Sequence, residues 1–410
     1  MLKNVAILNT CIGGSTGKIA VGIHNYLIEK GVNSWFCYGR EDGDIGSQYY
    51  KIDNKFDLYT HVVITRLFGL QGYGSTIATK RLIKFLDNQK VDTIFIISLH
   101  GYYLNEGKFY KYIIDKDINL IYIMIDEYAF LGKCGYSTFC KQYLSGCHYC
   151  PKVKAYPKSL LFNGAPIIYK MKSNAYKKIN SCIFIGPRYT ITRAKTSPLL
   201  SGKRLEELDE AVNTSFYTPR DTTKLKEKLK IKEEQIILVC VAPYSLERKG
   251  CKFFVELARR FENDNRYVFV HVGFDIDKKL VNLPSNYIPI RFVRNQNKLA
   301  EFYSLGDLFV FPSLSDTMPN ACLEALSAGT RLLCFYILGV PYIADETVAT
   351  FVEPKNIDEM VEVVKNISKK TTEQIQRCRE YALLRYDNQK YFKKLVEVAE
   401  RERKKKNDSF

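Results

Sequence analysis

The chain has 410 residues, of which 46% are hydrophobic, 26% charged and 13% aromatic, with a formal net charge of +17. That length exceeds one ordinary core and calls for two domains or three, and the aromatic content excludes a disordered chain. No apolar run reaches the roughly eighteen residues of a membrane span, and the basic excess suits nucleic acid, an anionic bilayer surface or phosphorylated substrates.

The opening "MLKNVAILNTC" is too short for a secretory leader and reads as a first strand, over 4–10. A cytoplasmic location follows, in which the twelve cysteines are expected to be thiols or metal ligands rather than disulfides. Next comes "IGGSTGKIA" (12–20), a glycine-rich turn before a stretch with helical spacing. It is not a P-loop, because Lys18 is followed by Ile19, and it is not a dinucleotide fingerprint, because Ile12 stands where the first glycine belongs. Small residues still let backbone N–H groups approach a phosphate at a helix N-terminus. A bare strand-to-helix turn is an equal reading of the loop alone.

Further strands are predicted over 33–38, 92–99, 119–125 and 183–186, with helices over 79–90 and 107–117. This alternation implies parallel βαβ units. A polar, basic stretch from about 213 to 234 reads as an interdomain connection. The pattern then restarts, with strands over 235–242, 266–274, 287–293, 307–313 and 330–336. Helices fall over 251–261, 295–306, 320–329 and 356–367, and 372–406 is largely helical. The fold class is α/β, with two tandem Rossmann-like domains and a ligand cleft as the default site. The domains are 1–212, 213–370 and a C-terminal helical segment, 371–410, with a basic tail expected to pack towards the first domain.

Two segments of the second half carry chemistry. "VAPYSLERKGCKFF" sets Arg248 and Lys249 beside Gly250 between a strand and a helix, which suits a diphosphate whose charge grows as it departs. An exposed basic turn is the plainer reading. "FPSLSDTMPNACLEALSAG" follows a strand with Asp316 in a loop and Glu324 one turn into a helix. Carboxylates there accept from sugar or ribose hydroxyls; taken alone, they are more often caps or dipole partners.

That segment resembles the carboxylate-x7-carboxylate signature of GT-B-fold, family-4 retaining glycosyltransferases, in the bacterial capsule, exopolysaccharide and O-antigen branch. "GGSTGKIA" (13–20), "LHGYYLN" (99–105), "IDEYAFLGKCGYSTFCKQYLSGCHYCP" (125–151) and "ERKG" (247–250) are similar to segments of that branch in the same order, so the resemblance spans about residues 1 to 370. It implies two GT-B domains facing each other across a cleft, the first for the acceptor and the second for a nucleotide-sugar donor. Arg248 and Lys249 would stabilise the donor diphosphate, Glu324 would hold the ribose, and Asp316 would face the sugar, with Asn320 beside them. Gly13, Gly14, Ser15, Thr16 and Gly17 would close over diphosphate and sugar, and His100 and Asp126 would lie on the acceptor side. The implied reaction retains configuration through front-face displacement and needs no catalytic cofactor. The implied acceptor is a saccharide, lipid-linked or soluble, met at the inner face of the plasma membrane with an anionic bilayer surface as a further partner; no nucleic acid is expected. The chain departs from the branch at Ile125, at "FIIS" (95–98) and at Asn213. Those departures are the ground for an alternative, a catalytically weakened paralogue that acts as a binding protein.

Cys134, Cys140, Cys147 and Cys150 have the spacing C-x5-C-x6-C-x2-C. Four thiolates can enclose a structural zinc; a redox pair and plain packing are the other readings. A zinc-containing nucleic-acid binder finds no recognisable module and no aromatics interleaved along a basic strip. His24, His61 and His271 read as core or surface residues, His271 because it lies in an apolar strand.

Overall fold

The computed structural model describes residues 2–40, 46–52, 54–154, 156–277 and 282–408. The chain forms two compact units: residues 1–209 with 389–410, and residues 210–388.

The first unit begins with β1 (Asn4–Asn9), α1 (Gly14–Glu29), β2 (Asn33–Tyr38), β3 (Tyr49–Lys51), α2 (Lys55–Phe68) and α3 (Thr76–Asn88). It continues through β4 (Thr93–Ile96), α4 (Glu106–Asp115), β5 (Asn119–Ile123), α5 (Ala165–Lys178), β6 (Cys182–Gly186), α6 (Arg188–Ala194) and β7 (Arg204–Glu207). Its seven strands lie in the order β3-β2-β1-β4-β5-β6-β7, and their pairings are parallel. Strands β1, β4, β5 and β6 are almost wholly buried, as a parallel sheet covered on both faces requires.

The second unit contains α7 (Thr223–Leu229), β8 (Ile236–Val241), α8 (Cys251–Arg260), β9 (Tyr267–Val272), β10 (Tyr287–Ile290) and α9 (Gln296–Leu305). Then follow β11 (Leu308–Phe311), α10 (Asn320–Ser327), β12 (Leu332–Phe335), β13 (Ala349–Val352), α11 (Ile357–Lys365) and α12 (Thr372–Arg385). The parallel sheet order is β10-β9-β8-β11-β12-β13. Its core is one cluster in which Phe254, Leu257, Phe269, Leu323 and Leu333 are buried. A last helix, α13 (Asn388–Asp408), packs on the first unit: Leu2 N–H donates to Glu400 at 3.2 Å, and Arg403 pairs with Asp92 at 3.0 Å.

The unit boundaries differ from those read in the sequence. The basic stretch 213–234 is no free connection, since it carries α7 and lies inside the second unit. The helical segment 371–410 is divided: α12 belongs to the second unit, and it is α13 that returns to the first. Helices α2, α5 and α6 and the short strands β3, β7 and β13 are additions to the predicted elements.

In each sheet the strand order reverses beside the first strand of the unit, between β1 and β4 and between β8 and β11. Loops leaving the carboxyl ends of two such strands part to opposite faces and leave a crevice, the usual ligand position in open α/β sheets. In the first unit these are the loops 10–13 and 97–105; in the second, 242–250 and 312–319.

Candidate functional site

In the second unit the switch point brings together residues 67 apart in sequence. Lys249 Nζ lies 2.7 Å from Asp316 Oδ2, and Arg248 Nη1 lies 3.6 Å from the same oxygen. The backbone builds this pairing. Leu314 N–H donates to Arg248 O at 2.8 Å, the Ser313 hydroxyl donates to the same carbonyl at 3.1 Å, and Arg248 Nη1 donates to Ser315 O at 3.1 Å. Gly250 makes the approach feasible: its φ is +67°, and a Cβ there would lie 1.9 Å from Pro312 O. The loop after β8 and the loop after β11 are therefore locked together through a residue that only glycine can fill. Two cations share one half-buried carboxylate at the start of α8, where the helix dipole also favours an anion.

Glu324 sits in α10 at 7% exposure, and its Oε2 accepts from the Tyr303 hydroxyl at 2.6 Å. Tyr217 also bonds this carboxylate; burial first, then the nearby charge of Glu324, pushes its phenol well up. Two phenols thus orient the Glu324 carboxylate. Neither tyrosine was singled out from the sequence, since Tyr303 lies in an ordinary helix, "EFYSL", with no local signal of a role. Asn320 opens α10, and its buried Oδ1 has no hydrogen-bond partner among the described residues. An orphan acceptor at this position suits a hydroxyl donor.

In the first unit the glycine loop leads into α1. Gly13 is the extended N-cap, no side chain caps the helix, and its first turn holds no acid, so the N-terminus is electrostatically open to an anion. Gly13, Gly14 and Ser15 are exposed and Thr16 half-buried. Gly17 packs inside the turn, where a Cβ would meet Ile12 O at 2.0 Å. Asn9, buried beneath, holds the turn by donating to Cys11 O at 2.6 Å and to the Thr16 hydroxyl at 3.2 Å.

Across the same switch point, the Thr10 hydroxyl donates to His100 O at 2.5 Å. His100 Nε2 lies 2.7 Å from Asp126 Oδ2, with both side chains about one-fifth exposed. Tyr128 and Tyr156 meet the His100 ring edge-on. The structure thus joins His100 and Asp126 in one pair. Asp126 receives an imidazole from the end of β4, although the residue before it is Ile125. Asn213, a further departure, caps a turn by accepting from Phe216 N–H at 3.0 Å, a task for asparagine and aspartate alike.

All twelve cysteines are free thiols. Cys134, Cys140, Cys147 and Cys150 line one cavity of about 20 Å³, and the Cys134 and Cys150 thiols are hydrogen-bonded to each other. That bond holds the Cys150 thiol below its ordinary value. Among the described residues, however, the group of three metal-capable side chains whose ligand atoms lie within 4.8 Å of one another is Cys240, Cys251 and His271, not any three of these four. The zinc expectation therefore finds no support. The segment is held instead by buried ammonium groups: Lys133 donates to Val153 O and Pro157 O, and Lys172 to Tyr128 O, Leu131 O and Gly132 O. His271 is a satisfied core histidine, with Nδ1 at 2.7 Å from the Tyr287 hydroxyl and Nε2 at 2.8 Å from Ala242 O.

Residues 221–385 match the family model described as glycosyl transferases group 1. The similarity is to group 1 glycosyltransferases. Over 346 residues the chain is 22% identical to WcaC of Escherichia coli (strain K12), which is named as a colanic acid biosynthesis glycosyl transferase; the match covers 78% of this chain and 80% of that one. Sucrose-phosphate synthase from Thermosynechococcus elongatus has a TM-score of 0.69 at 11% identity, covering 97% of this chain and 98% of that one. Anabaena HepE, solved in complex with UDP, has a TM-score of 0.67 at 10% identity, covering 96% and 99%. These likenesses show the fold, two parallel-sheet α/β domains of the kind glycosyltransferases share. No described helix is long and apolar enough to cross a membrane.

Proposed function

We propose that the protein is a glycosyltransferase that moves a sugar from a nucleotide-diphosphate donor to a saccharide acceptor, with retention, in the assembly of a bacterial surface polysaccharide. The observation that carries this reading is the set Arg248, Lys249 and Asp316 on two loops locked at the switch point of the second unit. The charge of a departing diphosphate grows as the glycosidic bond breaks, and preorganised cations stabilise that growth most. Asp316 holds Lys249 in position before the donor arrives and lies close to where the sugar of a bound donor would be. Glu324, oriented by Tyr303, takes ribose hydroxyls, and the Asn320 amide oxygen accepts another. Within the first unit the N-terminus of α1 suits an anionic group, and the His100–Asp126 pair belongs to the acceptor side. The departing phosphate takes the acceptor's proton, so no protein nucleophile is required.

HepE binds UDP and UDP-glucose in its solved complexes, which supports a nucleotide-sugar donor here, and the likeness to WcaC supports the polysaccharide context. The weakened-paralogue reading now rests on Ile125 and on "FIIS" (95–98), because Asn213 serves as a turn cap.

A thermal-shift series with UDP, GDP, ADP, dTDP and CMP tests the proposal, with Arg248→Ala as control. A ligand of the native state at a hundred times its Kd adds about 2.7 kcal/mol of apparent stability. The expected result is a selective shift of several degrees for one nucleotide, lost in the control. A folded protein that responds to none of them overturns the donor assignment and favours the binding paralogue.

A further inference from the structure

Helix α2 is inside out. Its buried side carries Asp57 at 4% exposure and His61 and Thr65 at 0%, while Phe56, Tyr59 and Val63 stand outward at 68%, 70% and 53%. The spacing 56, 59, 63 and 66 sets one stripe along the helix, closed by exposed Arg66. Two of the inward groups are hydrogen-bonded: Ala78 N–H donates to Asp57 Oδ2 at 2.6 Å, Gly72 N–H donates to His61 Nε2 at 3.0 Å, and His61 Nδ1 lies 2.9 Å from the Ser75 hydroxyl. The apolar face is therefore not a misplaced core face, because the polar face is the one the fold uses.

A second apolar segment lies against it. Leu160 N–H donates to Arg66 O at 2.6 Å and Phe162 N–H to Leu67 O at 3.2 Å, and the Phe68 and Phe162 rings stack at 5.6 Å. This loop exposes Leu160, Leu161 and Phe162, at 52%, 67% and 57%. The two segments make one continuous apolar surface. Within residues 54–68 and 151–170 the exposed charges are Lys55, Arg66, Lys154, Lys158 and Lys170, while the acid of these segments, Asp57, is buried. Contiguous apolar patches with a polar rim mark interaction sites.

We infer that this surface of the first unit docks on an anionic phospholipid bilayer, with Phe56, Tyr59, Leu161 and Phe162 entering the headgroup boundary and the lysines meeting the lipid phosphates. Charge selects this occupant. A second copy of the chain would bring the same cations against one another, whereas anionic headgroups neutralise them, and each basic residue near such a surface adds attraction that salt screens. Aromatic and leucine side chains beside lysines form an interfacial, not a spanning, contact. The inference deepens the proposed function, and it rests on that reading only for its purpose, access to a lipid-linked acceptor.

Vesicle flotation of the full chain tests it, using phosphatidylcholine with and without phosphatidylglycerol. We expect the protein to float with the phosphatidylglycerol vesicles and about tenfold less with the neutral ones, with loss at high salt. Leu161→Asp/Phe162→Asp should lower flotation about tenfold with an unchanged melting temperature; Tyr59→Ser/Val63→Asp on α2 is the second variant should the first fail to fold. Wild-type protein that stays with the unbound fraction, or variants that float equally well, would overturn the assignment. So would a lipid-free dimer that these substitutions abolish, because it would give the surface to a second copy. Flotation is read apart from the nucleotide shifts, so failure of the donor reading leaves this result standing, and the reverse.

Discussion

Helix α8 of the second unit buries Phe254, Leu257 and Ala258 and leaves Lys252, Arg259 and Arg260 outside, whereas α2 of the first unit buries Asp57, His61 and Thr65 and leaves Phe56, Tyr59 and Val63 outside. The contrast extends beyond two helices. In the second unit Arg248, Lys249 and Asp316 sit on loops above an apolar core, and of the charged groups proposed for chemistry there Glu324 is the one buried in a helix. In the first unit polar groups are built into the interior. Glu106 is fully buried, bonded by the Tyr128 hydroxyl and pushed up by burial, and Lys172 is brought down by burial to about 8. Stability and chemistry should therefore separate in the second unit and stay entangled in the first.

The sharpest way to break that comparison is at Lys249. Lys249→Ala should lower the rate of sugar transfer about 10²- to 10³-fold, the usual cost of one preorganised donor to developing charge, while circular dichroism stays unchanged. A variant that unfolds, or that transfers at the wild-type rate, removes the separation. Gly250→Ala comes next, because it forces the two halves together. A side chain at φ +67°, with its Cβ 1.9 Å from Pro312 O, should cost about 2–3 kcal/mol in denaturant unfolding. A smaller loss would mean that the loops after β8 and β11 are less firmly joined than their hydrogen bonds imply.

A third test, read in pH, belongs to the buried histidines of the first unit. Burial lowers His24 and His61 from 6.5 to about 4, and Gly72 N–H donates to His61 Nε2, so that ring is neutral in the fold. The unfolded chain binds protons that the folded one refuses between those values. Stability from this source is full above pH 6.5 and is lost as pH falls towards 4, on the order of 2 kcal/mol for each ring. Urea unfolding at pH 7 and pH 4.5 checks this, and a His61→Asn variant should show a shallower loss. Equal slopes for variant and wild type would place the acid sensitivity elsewhere.

Much of the fold was legible because parallel strands buried on both faces read as plain apolar runs, as in "NVAILN", "QIILVCVA" and "DLFVF". Helix α2 was not, since a periodic stripe shows that a helix is two-faced without showing which face the fold will cover. The edge strands β3, β7 and β13 were too short for a pattern. At the site, the loop cations, the two acidic positions and the glycine turn could each be named from local spacing and resemblance. The tyrosines that orient Glu324 could not, because they come from other segments and look like core.

The sequence by itself determined the alternation of strands and helices, the basic excess, and the residue types at each strand's carboxyl end. These are local properties, written in periodicity and in side-chain chemistry. Only the tertiary structure decided that Lys249 meets Asp316, that His100 meets Asp126, and that four closely spaced cysteines do not gather as zinc ligands. Strand order governs such meetings. It places β8 beside β11 and β1 beside β4 through pairings between residues far apart in the chain, whose energies depend on how the whole sheet packs.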